Sequence, residues 1–573
     1  MWCKECQRET VKDVCELCGA VTEPDIPLEI YWCTACGVPV IKYANAIDKN
    51  VCPACGNDVA YLCADIRPVY PEERLLFEIL QGKPMAHINQ SVWASDNRYY
   101  VDGKPTTCTT AFYKKMSPEV IRKQLDIHSK KNNYEAFDAM KKRFVAANNL
   151  RLKEIIDEAY RFIQETASNY SRENVVISFS GGKDSTVTAD LTVRAMGDPS
   201  LVHIFGNTTL EFPLTIEYVS RFRKDNPKAI FKIAENKEQD FYKVCEDIGP
   251  PARMLRWCCS MFKTGPIART LNRLYGDENI LTFYGIRKCE SVSRSRYNRV
   301  EDNAEAVKIQ KQKVASPIFL WKDVDIWLYI LGEGVDFNEA YRLGYDRVGC
   351  WCCPNNNARA QFLSKVYMPN EFKQWRDFLI NFAKRIGKPD PEEYIDSGAW
   401  KARQGGNGVA AAQDIKIRYT NCTAEYNAKV YQLNKPMDDN FIELFIPFGR
   451  IAPELGRKLI NETIIVDVWM NVPILSIQPF SQDGYEYAVK VKTMNVEKHD
   501  DLQRMVSYQI KKFNACRRCL KCESLCKYRA ISIVADAYHI SEKRCHRCKM
   551  CVTAKYLEGG CLMEKYLKTK TGT

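Results

Sequence analysis

The sequence predicts a multidomain α/β protein with a parallel β-sheet in its central third. Three observations predict it: a length of 573 residues, an alternation of β-branched runs with helical stretches from about residue 151, and cysteine-dense segments at both ends. The length exceeds what one hydrophobic core usually organises, so several domains are expected. Hydrophobic residues make up 46% and charged residues 27%, with no low-complexity tract, so nearly all of the chain should fold. No apolar run approaches the ~20 residues that cross a bilayer. The start Met1-Trp2-Cys3-Lys4-Glu5-Cys6 has neither the apolar core nor the cleavage site of a signal peptide. A cytoplasmic protein with no membrane partner is expected.

Twenty-six cysteines in such a chain do not read as disulfides, because cytosolic reductants keep thiols reduced. Most fall in Cys-x-x-Cys pairs, a spacing that brings two thiolates to one metal. The formal charge of +12 would point to a polyanion partner. Five filled tetrathiolate sites at about −2 each would bring it down to about +2, so global charge argues weakly for nucleic acid.

In order along the chain, residues 1–60 carry two four-cysteine sets: Cys3, Cys6, Cys15 and Cys18, then Cys33, Cys36, Cys52 and Cys55. Each reads as a zinc ribbon, with iron as the alternative metal. Gly19, Gly37 and Gly56 follow the second cysteine of three pairs, where a tight knuckle needs backbone freedom. So short a segment has little core of its own, and two zinc ions should supply much of its folding energy. Residues 61–150 read as an α+β linker domain, with a hairpin at 99–104 and a helix over 118–127 opened by Ser117. The stretch 101–155 holds twelve Lys or Arg against six Asp or Glu, which a solvated helical face explains as well as a nucleic-acid contact does.

Residues 151–405 carry strand signals at 174–179, 201–205, 230–233 and 280–284 with helical stretches between, the pattern of a parallel sheet covered on both faces. The first strand runs into Ser180-Gly181-Gly182-Lys183-Asp184-Ser185 and then a helix. Two glycines let backbone amides converge on an anion, the helix start adds positive potential, and Lys183 with the serine hydroxyls completes a phosphate cradle. Asp184 is a candidate for holding magnesium. Residues 406–505 alternate apolar and polar around 441–445 and 485–491 and read as a small α+β domain without a catalytic constellation. Residues 506–573 carry Cys516, Cys519, Cys522 and Cys526, then Cys545, Cys548, Cys551 and Cys561.

Residues of about 170–360 resemble the phosphoadenosine phosphosulfate (PAPS) reductase family of pyrophosphate-loop enzymes. The resemblance rests on blocks matched in order: 178–185; Asn207 to Pro213 with Glu211; Arg256-Trp257-Cys258-Cys259; Gly285-Ile286-Arg287 with Glu290, Ser291 and Arg294; Trp321 with Asp325 and Trp327; and Gly344-Tyr345 leading to Gly349-Cys350. It implies an adenine-nucleotide α-hydrolase-like core with the nucleotide across the strand ends, Arg287, Arg294 and Lys263 lining an anionic pocket, and Lys183, Asp184 and Arg287 as the catalytic set. Cys258, Cys259, Cys350 and Cys353 resemble the four-iron signature of adenylyl-sulfate (APS) reductases and of enzymes that install phosphorothioate in DNA. Adjacent cysteines on one cluster strain the backbone, which favours a ligand role. Cys352 sits inside the motif without a ligand duty and reads either as a redox or sulfur-carrying thiol or as a packed cysteine, the second being favoured. The carboxyl-terminal runs resemble a bacterial two-cluster ferredoxin. That resemblance implies Cys516, Cys519, Cys522 with Cys561 on one cluster and Cys545, Cys548, Cys551 with Cys526 on the other, three 4Fe-4S clusters in all. Lys527 stands where that family usually has proline.

The intact loop and the missing Glu-Cys-Gly reductase motif favour an ATP pyrophosphatase that uses magnesium and adenylates a substrate for sulfur incorporation, with electrons relayed by the ferredoxin-like segment. Nucleic acid is the candidate substrate, a cysteine desulfurase the candidate sulfur donor, and Arg287, Arg294, Arg296 and Arg299 candidate phosphate contacts. The competing reading is reduction of PAPS or APS to sulfite. A third is a nucleotide-binding redox sensor or scaffold without turnover. Oligomeric state is left open.

Overall fold

The computed structural model describes residues 2–3, 8–9, 14–15, 19–20, 27–96, 98–106, 116–291, 294–301, 311–534 and 537–569. Cys6, Cys18 and the side chain of Cys3, three members of the first predicted ribbon, lie outside these. Among the described residues no helix is long and apolar enough to cross a membrane.

The second ribbon is a three-stranded antiparallel sheet, with Leu28–Cys33 between Val38–Tyr43 and Val59–Cys63. Its knuckles close as expected, with the N–H groups of Gly37 and Gly56 donating to the carbonyls of Cys33 and Cys52, and in the first predicted ribbon Gly19 N–H donates to Cys15 O in the same way. All three glycines have φ near +70°, the region that costs a side chain most. The ribbon is less isolated than expected. Ile30, Val38 and Val40 are fully buried in one apolar core with Met140, Phe144, Ile177 and Trp327. Asn148 pins it, accepting from the Ile41 N–H (2.7 Å) and donating to the carbonyls of Pro39 (2.9 Å) and Phe144 (2.8 Å).

The linker region forms a four-stranded antiparallel sheet, including the expected hairpin Arg98–Val101 with Lys104–Pro105. Its helix Pro118–His128 is capped by Ser117, whose hydroxyl accepts from Val120 N–H. The basic residues on these helices largely face solvent: Lys123, Lys130, Lys131 and Lys142 are exposed.

The central sheet runs in the order Ile230–Glu235, Val202–Asn207, Val175–Phe179, Ile280–Tyr284, Gln312–Ala315, Val300–Glu301, parallel except for the last strand. Strand order reverses beside Val175–Phe179, where one chain direction leads to Val202–Asn207 and the other neighbour is Ile280–Tyr284. In such sheets ligands bind outside the carboxyl ends at that reversal. Two loops meet there: the turn that starts at Ser180 and the segment Gly285-Ile286-Arg287.

Residues 406–505 contain a six-stranded antiparallel sheet. The stretch around 441–445 is helical rather than extended, over Asp439–Glu443, because Asp438 caps it and Phe441, Leu444 and Phe445 bury one face. The last segment folds around the hairpin Ile531–Val534 with Ala537–Ile540. Its core is continuous with that of the 406–505 sheet and with Phe241, Trp257, Met261 and Trp375 from the nucleotide region.

Candidate functional site

Gly181 takes φ +73°, and a Cβ there would stand 2.9 Å from Thr215. The helix Lys183–Met196 then starts at Gly182 and ends at Gly197 in the left-handed region, a stop that glycine makes at low cost. Ser185 Oγ accepts from Ser180 N–H (3.1 Å) and donates to Gly182 O (2.9 Å), closing the loop on itself. Asn338 Nδ2 donates to Gly181 O (3.1 Å), and Tyr341 hydroxyl accepts from Lys183 N–H (3.0 Å). Gly285 lets the second loop press on this helix start, since a Cβ there would lie 2.6 Å from Asp184 backbone atoms.

The charged side chains interlock. Lys183 Nζ lies 3.2 Å from Asp323 Oδ1 and 3.5 Å from Asp184 Oδ2. Arg287 reaches Asp184 Oδ1 (2.5 Å) and Asp323 Oδ1 (3.0 Å). Burial acts against the Lys183 ammonium, but the carboxylates of Asp184 and Asp323 outweigh it and raise its pKa. The same two carboxylates hold Arg287 charged against burial. Asp65, from the end of the ribbon, accepts from the N–H groups of Asp323 and Val324 (both 3.0 Å) and caps their helix. Burial, then the Asp323 carboxylate, pushes Asp65 up to about 6. Cys289 also lies here, 3.4 Å from Arg287 Nη1.

Other expected nucleotide residues are engaged differently. Asn207 Nδ2 reaches Glu235 (3.3 Å), and Glu211 accepts from Thr208 N–H (3.0 Å) and from its hydroxyl (2.6 Å). Arg294 pairs with Glu290. Arg299 is not available to a phosphate as expected: it pairs with Glu158 and lies 3.8 Å over the Phe162 ring. Lys263 runs beside Gly206 and its charge acts on Cys259 and Cys350.

The nucleotide loop and the central cysteines are physically joined. Glu211 and Cys350 form an isolated antiparallel bridge, Trp351 N–H donates to Leu210 O (2.9 Å), and Thr208 Oγ1 lies 3.5 Å from Cys350 Sγ. Cys258 and Cys259 open a short helix that continues as a π-helical turn, Ser260–Thr264. Such turns are frequent at functional sites. A hydrogen bond from the Cys258 thiol pulls Cys259 down to about 6, helped by Arg256, Lys263 and Arg347. Burial, then Glu211, pushes Cys350 up to about 12. Cys352 is buried in the apolar core with Cys245 and Trp375, as a packed cysteine would be.

The thiols of Cys33, Cys36, Cys52 and Cys55 all lie within 4.8 Å of one another. Cys33 and Cys55 are 3.5 Å apart, Cys36 and Cys52 3.8 Å. Four sulfurs arranged tetrahedrally about one zinc at 2.3 Å stand about 3.8 Å from each other, so this set fits a single ion. Cys36 N–H donates to Cys33 Sγ (3.4 Å) and Asn57 Nδ2 to Cys55 Sγ (3.3 Å).

In the last segment the two cysteine runs repeat one backbone conformation. Arg518 and Leu520 are left-handed in the first run, and Arg547 and Lys549 at the matching places in the second. Ala530 N–H bonds Cys526 Sγ (3.2 Å), and the Arg518 and Arg547 amides act against burial on the thiols of Cys516 and Cys545. Amide bonds to cysteine sulfur are what an iron–sulfur cluster uses to stabilise its charge, so these loops fit clusters. Cys519 and Cys561 act on each other with Cys516 and Cys522, and Cys526 and Cys545 with Cys551.

Sequence reasoning missed Asp65, Tyr341 and Asn338, and it used neither Asp323 nor Cys289. Asp323 lies two residues before the matched Asp325, which itself pairs with Arg151. Nothing local marks Asp65 or Asn338.

Residues 174–356 match the model of the phosphoadenosine phosphosulfate reductase domain. An uncharacterized protein of Methanocaldococcus jannaschii is 33% identical over 270 residues, 47% of this chain and 53% of that protein. The chain thus spans about half the length of this curated relative. An adenosine 5'-phosphosulfate reductase of Staphylococcus epidermidis is 23% identical over 226 residues, 37% of this chain and 85% of that protein. Among solved structures, a phosphoadenylyl-sulfate reductase from Candida auris aligns with a TM-score of 0.28 and 16% identity, over 35% of this chain and 95% of that one. The similarity to the phosphoadenosine phosphosulfate reductase domain thus lies in residues 174–356.

Proposed function

We propose that this chain is a nucleotide-dependent iron–sulfur enzyme that cleaves ATP between its α and β phosphates to adenylate a substrate oxygen, which sulfur then displaces. One observation carries this reading: the Asp184 and Asp323 carboxylates stand directly on the Lys183 and Arg287 cations at the strand ends. A sulfonucleotide is purely anionic and gains nothing from two carboxylates in its pocket. A triphosphate carries magnesium, which takes carboxylate oxygens together with phosphate oxygens, while Lys183 and Arg287 take the phosphates.

In the adenylation step the substrate oxygen attacks the α-phosphorus, the bond to the β-phosphate oxygen breaks, and pyrophosphate leaves into the cradle of loop amides and Lys183. The substrate hydroxyl proton passes to solvent or to a nearby carboxylate. Sulfur displacing the adenylate then releases AMP. Cys258, Cys259, Cys350 and Cys353 would hold a four-iron cluster, and the Cys516–Cys561 runs two more, which supply one-electron reducing power. Such power fits reductive release of sulfur from a persulfide, in which the persulfide, two electrons and two protons give the thiol and hydrogen sulfide. Nucleic acid remains the candidate substrate and a cysteine desulfurase the candidate donor. The proposed domain bounds are 1–60, 61–150, 151–405, 406–505 and 506–573.

The second reading, reduction of a sulfonucleotide to sulfite, is favoured by the contact between Thr208 and Cys350 and by relatives named APS reductase. An anaerobic comparison separates the two: the purified chain is given ATP with magnesium or PAPS, and pyrophosphate and sulfite are measured. Pyrophosphate from ATP, abolished in Lys183→Ala with iron content unchanged, is expected. Sulfite from PAPS without pyrophosphate from ATP would reverse the assignment.

A further inference from the structure

The two cysteine sets of the last segment are not equivalent relative to the nucleotide region. The helix Gly265–Tyr275 begins where the π-helical turn after Cys258-Cys259 ends. Gly265 lies so close to the loop between Cys519 and Cys522 that a Cβ there would stand 2.8 Å from Leu520 Cβ. One helical turn on, Arg269 grips the same loop: Nε and Nη2 bind the two Glu523 carboxylate oxygens at 3.0 and 3.1 Å, and Nη2 also donates to Ile533 O (2.7 Å). A two-pronged arginine–carboxylate pair fixes orientation as well as distance. Two further ion pairs hold the segment, Arg517 with Asp247 (2.5 Å) and Arg529 with Asp277 (2.5 Å).

Burial divides the sets in the same sense. Three of the first set, Cys519, Cys522 and Cys561, are buried and Cys516 is half-buried, whereas none of the second set is buried: Cys548 is exposed and Cys526, Cys545 and Cys551 are half-buried. Tyr566, on the helix Leu562–Leu567 that follows Cys561, packs against this shared core. Burial pushes its hydroxyl up to about 12, and the Cys519, Cys259 and Cys258 thiols act on it in the same direction. The carboxyl-terminal strap is itself locked, since Gly405 and Gly406 have room for no Cβ against the carbonyls of Lys568 and Leu567.

We infer that the last segment is a fixed electron inlet with a set order: Cys526, Cys545, Cys548 and Cys551 form the outer site, Cys516, Cys519, Cys522 and Cys561 the inner one, and the inner lies against the helix that follows Cys258 and Cys259, held there by the Leu520–Gly265 contact and the Arg269–Glu523 clamp. This rests on the reading of all three cysteine sets as cluster ligands. With clusters held by these cysteines, the outer set would accept one electron at a time from an external low-potential carrier, and each inward transfer would oxidise one site by one electron and reduce the next by one, with no bond made or broken.

The test uses the full chain, prepared anaerobically, assayed for iron and reduced with dithionite, and reads magnetic interaction between sites by electron paramagnetic resonance. Cys548→Ser should leave the central signal broadened by its neighbour. Cys519→Ser should abolish that broadening. Arg269→Glu should weaken it, and Arg269→Glu combined with Glu523→Arg should restore it, which a merely misfolded variant would not do. Broadening lost in Cys548→Ser but kept in Cys519→Ser would overturn the order, and failure of the charge swap to restore it would overturn the clamp. A wild-type chain without iron at Cys258, Cys259, Cys350 and Cys353 would instead sink the cluster reading beneath it.

Discussion

The thiols of the second ribbon and those of the carboxyl-terminal runs share a spacing in sequence but not in space. Cys33, Cys36, Cys52 and Cys55 converge until every sulfur is within 4.8 Å of the others, and among the described residues no other three such ligand groups do. The carboxyl-terminal cysteines stand further apart, on loops whose left-handed residues aim backbone N–H groups at sulfur. The ribbon hangs its thiols on an antiparallel sheet, so two knuckles face each other at the spacing of one ion's ligands. The same Cys-x-x-Cys spacing therefore counts candidate ligands, while the backbone between the pairs decides how far apart the thiols stand.

The largest effect that would break this contrast is selective metal loss. Air followed by a chelator should strip iron, about twelve per chain if three four-iron sites are filled, while zinc at the ribbon stays. Metal analysis before and after decides, and zinc lost together with iron would erase the distinction. Next, Cys36→Ser should remove one zinc per chain and expose 28–63 to protease. Losing a structural ion costs a large part of the ~10–16 kcal/mol such sites contribute in isolated fingers. Although the ribbon core is shared with Phe144 and Trp327, the nucleotide region should stay folded on its own sheet, and its co-operative unfolding would show that sharing to be tighter than we describe.

A smaller change sharpens the comparison from the protein side. Asn148→Ala removes three buried hydrogen bonds, two of them to the ribbon, and should cost about 2–3 kcal/mol in denaturant unfolding without loss of zinc. Zinc loss would mean that anchoring and metal binding are one event. The smallest effect lies where no cysteine pair occurs. Arg457, then Ser476, holds the Glu462 carboxyl down to about 2 against a partial burial penalty. A depressed carboxylate stabilises above its unfolded value of about 4.3, and that contribution is lost as pH falls toward 2. Glu462→Gln should therefore be weaker by about 1 kcal/mol at pH 7, after allowance for solvent around Arg457, with the gap closing between pH 4 and 2. A gap independent of pH would exclude the charge as its cause.

Much of the architecture was legible in the chain. The four strands expected between 174 and 284 appear at Val175–Phe179, Val202–Asn207, Ile230–Glu235 and Ile280–Tyr284, because β-branched and apolar runs stand out, most clearly in the buried central strands Val175–Phe179 and Ile280–Tyr284. The helix at Asp439–Glu443 was less clear, since Phe441, Leu444 and Phe445 fit a short helical face and a mixed apolar stretch equally. Arg299 looked like a phosphate contact because sequence shows a charge but not its partner, Glu158, 141 residues away.

What the sequence determined by itself is whatever chemistry is written in neighbouring residues: the glycines of the pyrophosphate loop, the knuckle glycines and the repeated cysteine runs. Backbone preference acts over a few residues, so its signature is contiguous. Only the tertiary structure decided that Asp323 and Tyr341 meet Lys183 while Asp65 and Asn338 hold Asp323 and Gly181 beside it, and that Arg269 fastens Glu523, next to Cys522, to the nucleotide region. Those contacts join residues far apart in the chain, and it is burial of shared apolar surface, which no local pattern encodes, that brings them together.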